Sequence, residues 1–96
     1  MKKSFLSIET SLNRIFLVLY IKDNLISNSK TLENSIEVEI NQMFDEILKQ
    51  VQAHFSDLDY IMVSLGPGSY TGTRVGLAAA KAIAVSINKP IFGYTN

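Results

Sequence analysis

The stretch Gly66-Pro67-Gly68-Ser69-Tyr70-Thr71-Gly72-Thr73-Arg74-Val75-Gly76 has the composition best suited to chemistry, because it joins a strand-like run, Tyr60 to Leu65, to a helix-like run from about Thr71. Glycine-rich backbone at a helix N-terminus can turn several N–H groups toward one point and cradle an anion. The spacing fits neither common phosphate-binding template. No Lys-Ser/Thr follows the last glycine as in a Walker loop, and the third glycine falls one place late for a dinucleotide fingerprint. A purely structural role competes on equal terms, with Gly66 and Gly68 permitting a tight turn and Ser69 or Thr71 capping the helix. On spacing alone both readings stay open.

Other reactive side chains offer less. His54 is the only histidine and no cysteine is present, so zinc sites, thiolate nucleophiles and disulfides all lack their ligands. Ser64 and Ser69 have no base placed to activate them, and the Gly-x-Ser-x-Gly elbow is absent. No catalytic set and no metal site are therefore assigned. Nine Lys plus Arg balance nine Asp plus Glu, so the whole-chain field does not collect phosphate, and independent nucleic-acid binding is disfavoured. The aromatics Phe5, Phe16, Phe44 and Phe55 fall in apolar patterns that point to the core, which leaves no stacking platform for bases.

The elements that would hold the glycine-rich loop can be read along the chain. Phe5 to Ile8 is a short strand, and Arg14 to Ile21 is a second whose nearly unbroken apolar run predicts burial on both faces. Lys22-Asp23-Asn24 turns the chain into a third strand near Leu25 to Lys30. Asn34 with Glu37 reads as a capping box opening a long helix. Its residues Ile36, Ile40, Met43, Phe44, Ile47, Leu48, Val51 and Phe55 fall in an arc of about 140°, with Glu39 outside it. A strand at Tyr60 to Leu65, a second helix from about Thr71 to Ile87 and a last strand at Ile91 to Tyr94 complete the order βββαβαβ. Right-handed crossovers make the fourth and fifth strands parallel to each other and to the first, in a mixed α/β sheet. The 96 residues read as one lobe, with no membrane-spanning run, no secretory signal, and a composition suited to the cytoplasm.

Gly66 to Lys81 resembles the signature of the TsaB (YeaZ) family. The resemblance extends to Leu6-Ser7-Ile8-Glu9-Thr10-Ser11 and to Lys89-Pro90-Ile91-Phe92-Gly93, and so spans the chain. It implies the N-terminal lobe of an RNase H-like, actin-like ATPase fold, without the second lobe usual in the family. It also implies a scaffold or activator that pairs with the TsaD-type subunit transferring a threonylcarbamoyl group to adenosine in tRNA, with tRNA reached only through that partner. Glu9 stands where the family usually has Asp, Tyr70 where it has Phe, and Thr73 where an aliphatic residue is common. The Glu9 change bears on any ATP and magnesium site, because one extra methylene displaces a metal ligand.

The second helix is apolar nearly all round, which predicts burial on two sides. Gly72, Gly76, Ala79, Ala80 and Ile83, together with Ile36, Ile40, Met43 and Ile47 of the first helix, are the expected pairing surface, and a homodimer is expected without the partner. A leucine at Gly76 is then expected to leave the lobe folded and weaken pairing. The competing function is a nucleotide-binding enzyme lobe using Glu9, Thr10, Ser11, Gly66, Gly68, Ser69, Thr71 and Gly72 with ATP and magnesium; a third reading is an inactive truncated fragment.

Overall fold

The structure is a computed structural model and describes residues 3–10, 13–66 and 70–95, with the side chains of 70–72 outside the description. The strands are β1 (Phe5–Thr10), β2 (Arg14–Ile21), β3 (Asn24–Thr31), β4 (Tyr60–Ser64) and β5 (Ile91–Tyr94), and the helices α1 (Ile36–Gln50) and α2 (Tyr70–Ile87). They form one sheet in the order β3-β2-β1-β4-β5. β1, β4 and β5 are parallel neighbours, while β2 and β3 run antiparallel. The order of elements along the chain and the strand directions follow the expectation from the sequence.

The β2–β3 hairpin closes on Lys22 and Asp23, both with left-handed φ angles of 53° and 64°. Two consecutive left-handed residues make the turn whose twist matches that of paired strands. Helix α1 starts one residue later than the sequence suggests. Ser35, not Asn34, is the N-cap, and its hydroxyl accepts from the Val38 N–H at 3.4 Å. Asn88, at φ 57°, ends the turn after α2, and Pro90 follows before β5.

Both helices cover the same face of the sheet. Leu6, Ile8, Ile15, Leu17, Leu19, Ile61 and Val63 point from the strands to Ile40, Met43, Phe44, Ile47, Ala80, Ile83 and Ala84, and these form the core. The expectation that β2 is buried on both faces is not met. Its burial alternates, and Phe16 is 40% exposed. Phe5 and Phe16, expected in the core, project from the opposite face, where no helix among the described residues lies. Strand periodicity explains this: in β1 the even positions Leu6, Ile8 and Thr10 go to the helices and the odd ones to the other side.

Glu39 is the second departure. It lies just beyond the apolar arc of α1 yet is 1% exposed. Its carboxylate accepts the N–H groups of Glu33 and Asn34 at 2.8 and 3.2 Å and pairs with the Lys30 ammonium at 2.8 Å. These contacts tie β3, the connecting loop and α1 together. The Lys30 bond, with the two backbone donors, lowers the Glu39 pKa, and the same bond raises that of Lys30. Asp59 acts similarly at the start of β4, accepting from the Ser4 backbone and hydroxyl at 2.8 and 3.1 Å.

Candidate functional site

Parallel pairing of β1 with β4 brings the ends of both strands to one edge of the sheet, beside the start of α2. Glu9, Thr10 and Gly66, three of the residues named for a loop site from the sequence, lie at this edge together with Ser64. Ligands of open α/β sheets favour this edge, at the carboxyl ends of parallel strands. Gly66 has a φ of 126°, a backbone region that side chains resist, and its N–H donates to the Ser64 hydroxyl at 3.4 Å. Leu65 N–H donates to the Tyr94 carbonyl at 2.7 Å, fixing the chain as it leaves β4. Ser11, Gly68 and Ser69 lie outside the described residues, and Thr71 and Gly72 fall in the first turn of α2.

Glu9 and Thr10 take opposite faces, as neighbours in a strand must. Glu9 is half-buried on the helix-free side, across from Phe16. Thr10 is 5% exposed and packs beneath α2 at Gly76. A Cβ added at Gly76 would lie 2.8 Å from the Thr10 Oγ1 and 3.3 Å from its Cγ2. Gly76 is therefore the point where the helix backbone meets β1, so the close approach it permits is to the chain's own sheet.

The other expected pairing residues follow the same logic. Gly76, Ala80, Ile83, Ile36, Ile40, Met43 and Ile47 are all buried within the lobe, and Ala79 is half-buried. A leucine at Gly76 strikes Thr10 before it could reach a partner. The outward stripe of α2 consists instead of Arg74, Ala78, Lys81, Ala82 and Val85, the last 81% exposed. On α1 the exposed apolar residue is Val38, at 51%. An all-round apolar helix gives no sequence signal for which small-residue face turns inward, whereas Arg74 and Lys81 mark the solvent side. Among the described residues no group of three His, Asp or Glu side chains is placed to hold a metal ion, and no helix is long and apolar enough to cross a membrane.

The family model described as TsaD, tRNA N6-adenosine threonylcarbamoyltransferase, matches residues 30–95. A relative named tRNA threonylcarbamoyladenosine biosynthesis protein TsaB, from Buchnera aphidicola, is 30% identical over 97% of this chain and 44% of its own length. The chain belongs to this family, on its TsaB (YeaZ) side. The solved YeaZ from Pseudomonas aeruginosa superposes with a TM-score of 0.91 at 19% identity, over 99% of this chain and 45% of that one. A Bacteroides thetaiotaomicron protein with an actin-like ATPase fold superposes with a TM-score of 0.58 at 11% identity, over 94% of this chain and 32% of its own. The architecture is thus the RNase H-like, actin-like ATPase fold expected from the sequence. The chain spans a little under half the length of the TsaB relative and of the solved YeaZ.

Proposed function

We propose that this lobe is a non-catalytic, cytoplasmic pairing subunit in tRNA threonylcarbamoyladenosine biosynthesis, binding a TsaD-like protein that holds the tRNA and performs the transfer. The observation that carries the reading is the match over 97% of the chain to a relative named for this pathway. The geometry supports a pairing role. At the strand ends Thr10 is committed to packing under Gly76 and Glu9 faces the other side of the sheet, so two of the side chains expected around a nucleotide diverge. The outward stripe of α2 presents only short side chains between Arg74 and Lys81, which lets a partner helix approach closely. The surface of the proposed pair is this stripe with Val38, in place of the buried residues.

Reconstitution tests the proposal. The chain and a TsaD-like protein should co-sediment, and Val85→Asp should weaken the complex while leaving the circular dichroism unchanged. Modification of tRNA should require both proteins, with no modification by the chain alone. A wild-type chain that fails to bind the TsaD-like protein, or that binds ATP with magnesium and modifies tRNA unaided, sinks the proposal.

A further inference from the structure

Strand β3 forms one edge of the sheet and lacks the devices that keep an edge from pairing. Its register with β2 runs from Arg14↔Thr31 to Ile21↔Asn24 without a bulge, and it holds no proline. Its one charge, Lys30, is drawn to Glu39 at 2.8 Å and so does not stand ready to repel a neighbouring strand. The opposite edge, β5, is four residues long and a poorer template. The hairpin decides which groups of β3 face outward. A two-residue turn makes Ile21 and Asn24 a hydrogen-bonded pair, and such pairs recur at every second position. The Leu32 N–H confirms the parity, reaching the Asn13 carbonyl at 2.7 Å. Leu25, Ser27, Ser29 and Thr31 therefore turn their N–H and C=O groups away from β2. All four residues are exposed, and among the described residues no backbone group meets them from outside. A groove of about 430 Å3 between β3 and α1, lined by Met43 and Glu46, leaves the edge open along Ser27 to Lys30.

We propose that this edge pairs with β3 of a second copy of the chain, antiparallel about a two-fold axis at Asn28, joining two five-stranded sheets into one. Three observations select a second copy over a foreign peptide. First, a two-fold at Asn28 sets Leu25 opposite Thr31 and Ser27 opposite Ser29 of the other copy, so every outward residue finds an outward mate with which to exchange two bonds. Sliding the strands by two residues leaves Thr31 unpaired in one direction and Leu25 in the other. Second, the facing side chains suit one another. Ile26 meets the aliphatic stem of Lys30, whose ammonium stays with Glu39, and Asn28 meets its own counterpart, amide to amide. Within β3 no charge opposes a like charge. Third, three of the four outward residues, Ser27, Ser29 and Thr31, carry only small hydroxyl side chains, which form no pockets in which the alternate side chains of a foreign strand would be read.

Strands β2 and β1 separate this edge from the α2 stripe, so the pairing of copies and the proposed TsaD contact stand or fall separately. The test is amide hydrogen exchange by NMR, beside sedimentation, on the chain at about 10 and about 500 μM. The expected result is a dimer at the higher concentration in which the Leu25, Ser27, Ser29 and Thr31 amides exchange about tenfold more slowly or better, while those of Ile26, Asn28 and Lys30, already bonded to β2, change far less. Ser27→Lys combined with Ser29→Lys sets ammonium groups opposite one another across the axis and should weaken the dimer about tenfold or more. Mixing that variant with one carrying Ser27→Glu and Ser29→Glu should restore pairing as a mixed dimer. Circular dichroism checks each variant, and exchange in the wild type carries the test if a variant does not fold. A chain that stays monomeric at about 500 μM overturns the proposal, as does a dimer whose four outward β3 amides exchange as fast as in the monomer. A dimer lost in Val85→Asp or Phe92→Lys but kept in the lysine pair overturns it in favour of another surface. Protection of the four amides by a TsaD-like protein and not by concentration overturns it in favour of a foreign strand.

Discussion

Replacing Gly76 by alanine puts one methyl group where α2 crosses β1, and the geometry sets what it costs. The new Cβ would stand 2.8 Å from Thr10 Oγ1 and 3.3 Å from Cγ2, while Thr10 is 5% exposed and β-branched, so it has no free rotamer into which to retreat. The helix must move outward instead, an overpacking cost of about 1–3 kcal/mol. Alanine is the better helix former by about 0.8–1 kcal/mol, which offsets part of this and leaves a net loss of about 0–2 kcal/mol. Thr10→Ala removes both crowding atoms, and the Cβ that remains, 3.6 Å away, is in ordinary contact. In that background Gly76→Ala should stabilise the lobe by the helix-propensity gain alone. Urea unfolding followed by circular dichroism on the four proteins of the cycle gives the coupling energy, expected at about 1–3 kcal/mol. Equal effects of Gly76→Ala in both backgrounds, or an outright stabilisation of the wild type, would refute the claim that Gly76 serves close approach to β1. The same geometry makes Gly76→Leu a folding defect.

Two further predictions concern local devices. The Glu39 pKa is lowered from 4.5 by Lys30 and two backbone donors, so the stability it contributes is present above the ordinary carboxylate value and is lost as pH falls through the depressed one. The urea midpoint of the wild type should therefore exceed that of Glu39→Gln at neutral pH, and the gap should close on acidification; Asp59 is shifted the same way in both proteins and cancels from the difference. A gap unchanged from pH 7 down to about 2 would show that Glu39 is not held as a carboxylate. In the hairpin, Lys22 adopts a left-handed φ of 53° at a strain of about 1–2 kcal/mol for an ordinary side chain, so Lys22→Asn should raise the thermal midpoint by a few degrees.

Much of the fold was legible because each signal had one reading. Lys22-Asp23 could only close a hairpin, and the glycine-rich run after Tyr60–Ser64 could only link a strand to a helix and hence make a parallel crossover. The site was legible only in part. Glu9, Thr10 and Gly66 lie at one edge, but Gly76, Ala80 and Ile83 turn to the chain's own sheet and not outward, because small residues serve close approach equally well to a partner or to that sheet. Glu39 escaped because helical periodicity reports side-chain polarity and is blind to Lys30, which reaches it from a strand nine residues earlier.

The misreading of β2 has a different cause. Periodicity reports which faces of a strand are apolar, and burial then depends on what is present to cover them. Arg14 to Ile21 is apolar on both parities, yet only Ile15, Leu17, Leu19 and Ile21 find helices above them. Phe16, Val18 and Tyr20 belong to the same apolar run and remain on the helix-free side with Phe5, Tyr60 and Phe92. Apolar area left in water forgoes about 25 cal/mol per Å2. A cover over that face would recover part of this free energy.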